Sequence, residues 1–485
     1  MLCGIIRRSQ GGWVFNRLAL LSLMCIAIGW SLMAQVSSAQ QPGGQGAPLQ
    51  AQIPIGGGQG YFWMSQFTNP ALRGALYLTP YFPLTGYYPL YPGLFSQVMP
   101  EDGLRVGPLK LHPFLGVGEM YTDNVLRTNT DRKSNFIHNL APGIQARLRL
   151  AGRHAFIVDY RTNLQYYERN PSNDVQDQTA SARIKLDFRG GLRADVQGEH
   201  KVGHDPRGSA VDNAINKLEV NKWRTDGAVG TVEYMGAKAG VAMNVQSVRW
   251  KYTNNDQGKI SDRLSNYAGF TFAAGVTPKV FALTNVSVSQ LIYDQNKNLD
   301  TAMYSMSGGI RWNVSELTSG EILIGYQSLR FSHAQTTHAD PVLSLFQRDG
   351  DSPSNLFVAG NMNWRPTSYT TVSLQPYRTI QQTTVAGTLF FVATGANLSL
   401  AHSLTYRMGV TLNLGVEQDR FQMSSSTGAG FARTDTVKNA AVGLNYRAVK
   451  WLGSSIQYVF EDRNSTDGTF AYRANTVMLA FQSAF

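Results

Sequence analysis

The stretch Leu404-Thr405-Tyr406-Arg407-Met408-Gly409-Val410-Thr411-Leu412-Asn413-Leu414-Gly415-Val416-Glu417 alternates apolar and polar residues without a break. Side chains of an extended strand point to opposite faces in turn, so this segment carries one wholly apolar face and one polar face. A helix would scatter the same residues around its circumference. The two-residue period returns where Phe156, Val158, Tyr160, Leu164 and Tyr166 interleave with Asp159, Arg161, Asn163 and Gln165. It returns again between Ala302 and Trp312, and it persists from about Leu111 to Phe485.

The composition of the second face narrows the fold. It is mostly Gly, Ser, Thr, Asn and Gln with scattered Arg and Asp, as a water-filled lumen requires, whereas a soluble sandwich tends to carry more charge there. Aromatic residues near strand ends (Tyr160, Tyr166, Trp250, Tyr252, Trp312, Trp364, Tyr406, Tyr446 and Tyr458) are expected in two interfacial girdles. A one-residue slip around Arg183 would turn its guanidinium to lipid, at about 2–4 kcal/mol near the midplane.

Connection lengths supply the strongest argument. Tight turns are expected near Ala151–Arg153, Arg189–Gly191, Met235–Lys238, Gly275–Pro278, Asn313–Thr318, Arg365–Ser368, Ala401–Ser403 and Ala448–Lys450. Between them lie generally longer polar connections, among them Thr122–Lys133, Gly203–Lys222, Ser332–Ser354 and Gln422–Arg433. Short and long alternate, as periplasmic turns and extracellular loops do in an outer-membrane barrel. The expectation is therefore an all-β, transmembrane, antiparallel up-and-down β-barrel of about 18 strands, with 16 as the alternative count. An even count puts both barrel termini on the periplasmic side of the bacterial outer membrane.

The N-terminal region reads as an export signal. Arg7, Arg8 and Arg17 flank an apolar run from Leu18 to about Met33, and Ser37-Ser38-Ala39 offers the small residues of a cleavage site between Ala39 and Gln40. A retained anchor fits less well, because the run is short and its far flank is small and polar. Residues 1–39 are thus expected to be the signal peptide. Residues 40–110 form a Gln/Gly/Pro-rich linker followed by an aromatic, Pro-rich segment that reads as a tail, a strap or a partial plug. Residues 111–485 are expected to be the barrel. Both cysteines, Cys3 and Cys25, fall in the signal, which excludes disulfide scaffolds and thiol chemistry from the exported chain. The net charge of +11 falls to +8 without the three signal arginines, and with no long basic run nucleic acid is not an expected partner.

At the C-terminus, Val477, Leu479, Phe481 and Phe485 share one face. A last strand must pair with the first, since an open edge is untenable in lipid. The terminal pair Phe481 and Phe485 resembles the signal read by the barrel-assembly machinery, with Ser483 departing from its apolar pattern.

Gly116-Val117-Gly118-Glu119-Met120-Tyr121-Thr122-Asp123-Asn124-Val125 resembles the opening strand and "DN" turn of the putative β-barrel porin 2 family. Ser134-Asn135-Phe136-Ile137 with Ala141-Pro142-Gly143-Ile144, and Tyr377-Arg378-Thr379-Ile380 with Gln382-Thr383-Thr384, resemble later strands of the same family. The resemblance spans Leu111 to Phe485 and implies EpsL-like, exopolysaccharide-operon outer-membrane proteins. It carries no catalytic residues over.

The candidate site is a wall. Arg147, Arg149, Arg161, Arg183, Lys185, Arg193 and Lys201 are expected to face the lumen, opposed by Asp159, Asp187, Asp195 and Glu199. Arg and Lys ladders select anions in pores, so a track for an acidic polymer is one reading. Salt bridging that stiffens the wall is the other. His154 and the His402-Ser403 pair lack any nucleophile signature, so no enzyme is expected. Asp349-Gly350-Asp351 and Asp462 with Asp467 match no calcium loop, and no cofactor or metal is expected. The expected function is a channel for a polar solute, an exopolysaccharide by resemblance. The alternative is a closed barrel that anchors an envelope complex. Expected partners are the bilayer with its lipopolysaccharide, the assembly machinery and periplasmic polysaccharide-export components.

Overall fold

The computed structural model describes residues 103–484 apart from 206, 208–218, 237, 255, 316, 333–353, 383–387 and 424–432. The cleavage pair Ala39–Gln40, Phe485 and the Asp349–Asp351 pair lie outside the described residues. A short strand β1 (Leu104–Val106) precedes β2 (Leu109–Thr122), β3 (Asn135–Arg149), β4 (Ala155–Tyr167), β5 (Val175–Asp187) and β6 (Leu192–His204). There follow β7 (Lys222–Met235), β8 (Ala239–Tyr252), β9 (Arg263–Thr277), β10 (Val280–Tyr293), β11 (Thr301–Ser315) and β12 (Thr318–Phe331). The chain completes with β13 (Ser354–Thr367), β14 (Thr370–Gln382), β15 (Thr388–Ser403), β16 (Met408–Met423), β17 (Thr434–Val449), β18 (Leu452–Ser465) and β19 (Tyr472–Ala484).

Each strand from β2 onward pairs antiparallel with the next, and β19 returns to β2 from Thr476↔Thr122 to Ala484↔Phe114. That closure makes an 18-stranded barrel and removes the sheet edge that lipid cannot satisfy. Short turns and longer connections alternate around it as the sequence predicts.

Register sorts the side chains. Met243, Phe270, Val286, Ile324, Leu479 and Phe481 are about half exposed on the outer face, while their chain neighbours Ala242, Thr271, Asn285, Leu323, Met478 and Ala480 are buried on the inner one. On β10 the outward residues Val280, Ala282, Thr284, Val286 and Val288 precede Gln290. Nine strand residues at a tilt of about 40° span roughly 20 Å, close to the ~25 Å apolar band of outer-membrane barrels.

The asparagine of the opening motif closes the seam. Asn124 is fully buried; its Nδ2 donates to the Thr128 carbonyl at 2.7 Å and to the Arg473 carbonyl at 2.9 Å, and its Oδ1 accepts from the Thr128 backbone N–H at 3.1 Å. Asp123 accepts from the backbone N–H of Asn475 at 2.8 Å and from its Nδ2 at 2.6 Å. The "DN" pair thus ties the first strand to the last across the closure. Replacing Asn124 by alanine leaves these buried groups unsatisfied, an expected loss of about 1–3 kcal/mol. The urea midpoint of the refolded protein in vesicles checks this, and an unchanged midpoint would show that water replaces the amide.

Three expectations are corrected. The stretch Leu404–Arg407 is the turn between β15 and β16, held where the Leu404 and Thr405 N–H groups donate to the Met408 carbonyl, so alternation starts the strand four residues early. Trp250 and Tyr252 face the lumen instead of a lipid girdle: Trp250 packs on Trp223 at 4.9 Å beneath the Arg263 guanidinium, and the Tyr252 hydroxyl donates to Asp205. Finally, the sheet begins before Leu111. Gly107, at φ 61°, occupies the first turn position ahead of Pro108 and folds β1 back onto the start of β2.

Candidate functional site

All seven basic residues expected on the lumenal wall lie on its inner face. Asp159 stands opposite Gln145 and Ser181, Arg183 opposite Ile157 and Gln197, and Arg193 opposite Asp187 and Glu233. The wall then divides by sector around the barrel.

From β4 to β7, cations meet carboxylates. Arg161 grips Asp159 through Nε and Nη2 at 2.7 and 2.9 Å. Arg183 makes the same fork with Asp195 at 2.7 and 2.6 Å, and Lys201 sits 2.5 Å from Glu199. Arg193 lies between Glu233 at 3.5 Å and Asp187 at 3.9 Å. Two-point guanidinium–carboxylate contacts fix orientation and spend the charge locally. These four residues stiffen the wall more than they present a field.

At the tight-turn end of β1 to β3 the balance differs. Arg147 and Arg149 are exposed and make no ion pair among the described residues. Arg147 stands directly opposite Lys110, which stands opposite Arg105 on β1, so three cations line up across three strands. Like charges directly opposite each other repel, and their shared side is a field that attracts anions. Lys185 stands opposite Asp195, two positions along from Arg183. Arg105 and Lys110 escaped the sequence reading because the Pro-rich segment was expected to end before the barrel. The Gly107-Pro108 dipeptide was the available signal.

Other sectors of the inner face are less watery. Tyr267, Leu283, Leu323 and Phe357 form one buried cluster. Leu283 and Leu323 both stand opposite Gly309, where a Cβ would collide with the Ile322 carbonyl oxygen. Phe391 stacks on Phe421 at 4.8 Å, and the Tyr377 hydroxyl donates to Glu417 at 2.6 Å. Arg433 is clamped between the rings of Phe421 at 3.7 Å and Phe470 at 3.9 Å. Burial there pulls its guanidinium down to about 10, against the opposing pull of Asp435. A shallow recess opens at the tight-turn end, with Thr411, Asn445, Ser455 and Gln482 in its lining.

His154 Nδ1 accepts from the Asp187 backbone N–H at 3.0 Å, and His402 contacts the Thr370 hydroxyl at 2.9 Å. Asp462 is engaged by Arg473, and Asp467 caps a turn at Thr469. Among the described residues no group of three His, Cys, Asp or Glu side chains is placed to hold a metal.

The family model described as Putative beta-barrel porin 2 matches residues 100–485. No curated protein matches. Among solved structures, OpdL of Pseudomonas aeruginosa is 12% identical over 78% of this chain and 98% of its own, with a TM-score of 0.43. OccK2 (OpdF) of the same organism is 8% identical over 78% and 97%, at 0.45. A bacterial polysaccharide outer membrane secretin is 7% identical over 77% and 97%, at 0.33.

Proposed function

Because this chain belongs to the putative beta-barrel porin 2 family and closes into a porin-like outer-membrane barrel, we propose that it is a channel for a polar, preferentially anionic solute. The observation that carries the reading is the in-register row Arg105–Lys110–Arg147 with Arg149 beside it at one lumenal mouth. A cationic ring lowers the barrier that a low-dielectric wall raises against anions. With the tight turns on the periplasmic side, this mouth meets solute arriving from the periplasm. An acidic exopolysaccharide suits the direction and the charge, and the family resemblance supports that class.

Single-channel recording of the refolded protein in planar bilayers tests the proposal. Steady openings with a reversal potential on the anion side of zero are expected, and Arg147→Glu with Arg149→Glu should move that potential toward cation selectivity. A folded barrel without openings would sink the channel. The buried aromatic clusters around Tyr267–Phe357 and Phe391–Phe421 favour that second reading, a closed barrel serving as an anchor in an envelope complex.

A further inference from the structure

The outer surface of the barrel ends differently at its two rims. Toward the tight turns the outward residues include Tyr234, Trp312, Trp364 and Tyr446. Toward the longer connections they include Arg224, Arg249, Lys251, Arg330, Lys438 and Arg473. Four of the acidic residues at this second rim are already engaged. Glu119 lies 2.6 Å from His138, Asp226 2.7 Å from His200, Asp294 2.6 Å from Arg249 and Asp462 3.1 Å from Arg473.

One place on this rim sets two cations side by side. Arg224 on β7 and Lys251 on β8 stand directly opposite each other. Both point outward, because their neighbours Trp223, Trp250 and Tyr252 occupy the lumenal side. Neither makes an ion pair among the described residues, and Arg224 is exposed. Two cations facing each other on a sheet repel unless an anion joins them. Asp262 bounds the place on the Lys251 side, where it accepts from the Tyr252 backbone N–H at 2.7 Å and attracts both Lys251 and Arg249. Along the same face toward the tight turns, Ser247 gives way to Val245, Met243 and Val241, and Phe270 lies on the adjoining strand.

We propose that Arg224 and Lys251 form a phosphate-binding site for a phosphorylated glycolipid of the outer leaflet, whose acyl chains descend over Val245, Met243 and Phe270. A guanidinium beside an ammonium offers forked and point-charge donors to one phosphate, and the apolar band below matches the lipid tail. The inference rests on the orientation in which the longer connections face outward. It is separable from channel activity, because neither residue touches the lumen.

The test is binding of bisphosphorylated lipid A to the refolded barrel by native mass spectrometry. Dephosphorylated lipid A, phosphatidylglycerol and inorganic phosphate are the comparisons. Wild-type protein should bind bisphosphorylated lipid A at least about tenfold more tightly than either other lipid, and the Arg224→Gln/Lys251→Gln variant should lose that preference with its conductance and urea midpoint unchanged. Single Arg224→Gln should give an intermediate loss and covers the case in which the double variant misfolds. Equal binding by wild type and both variants would overturn the site. So would equal affinity for phosphatidylglycerol, which means adsorption of any anionic lipid, or full competition by inorganic phosphate, which means a free-anion site.

Discussion

Glu321→Gln is expected to lower the stability of the folded barrel by about 3–5 kcal/mol, the cost of leaving one member of a buried ion pair alone. Arg311 and Glu321 stand directly opposite each other on β11 and β12, at 3% and 5% exposure on the inner wall. The guanidinium reaches one carboxylate oxygen through Nε at 2.7 Å and Nη2 at 2.5 Å. A glutamine of the same shape keeps the packing and removes the counter-charge, so the cation remains where water reaches it poorly. Arg311→Met/Glu321→Met removes both charges together, and replacement of a buried pair by apolar groups is often neutral. The double variant should therefore recover most of the loss. Urea unfolding in lipid vesicles, followed by tryptophan fluorescence, measures both, with Trp312 adjacent as a reporter. A Glu321→Gln midpoint equal to wild type would mean that the pair is hydrated from the lumen and that this wall is wetter than its burial implies.

The parts legible from sequence were those set by period and spacing. Alternation at Phe156–Tyr166 and Ala302–Trp312 placed the strands, and the rhythm of short and long connections counted eighteen of them. What failed depended on neighbours in space. Closeness to a strand end predicts a girdle position for Trp250 and Tyr252, but their parity against Val241, Met243 and Val245 puts them inside. At their height the outer face carries Arg249 and Lys251, and charge there leaves no interface for an indole to occupy. Leu404 and Tyr406 continue the two-residue pattern into a turn because polarity alone does not mark where the backbone bends. The basic wall was legible as a set of residues on one face, but its division into a neutralised part and an exposed mouth was not. That division depends on Glu233 pairing with Arg193 across strands and on β1 bringing Arg105 beside Lys110.

Val286→Arg should cost about 2–4 kcal/mol, whereas Gln290→Arg on the same strand and face should cost about 0–1. Both side chains point outward from β10, since Asn285, Ser287 and Ser289 between them pair with lumenal residues of β9 and β11. Val286 lies within the apolar run, beside Phe270 on β9 and Met306 on β11. Gln290 lies four residues farther toward the long connections, beside Asn266 and Ala302. An arginine at the first position must carry its charge into hydrocarbon or bend the bilayer toward it, while one at the second extends into the polar rim. The difference in urea midpoints between the two variants in vesicles therefore measures depth in the membrane, which folding in detergent would not register. A steep difference fixes the apolar band between the tight turns and Gln290, and with it the rim on which Arg224 and Lys251 stand. Equal costs would mean that this face is not in lipid at the depth its register implies, and both the girdle and the glycolipid site would lose their footing together.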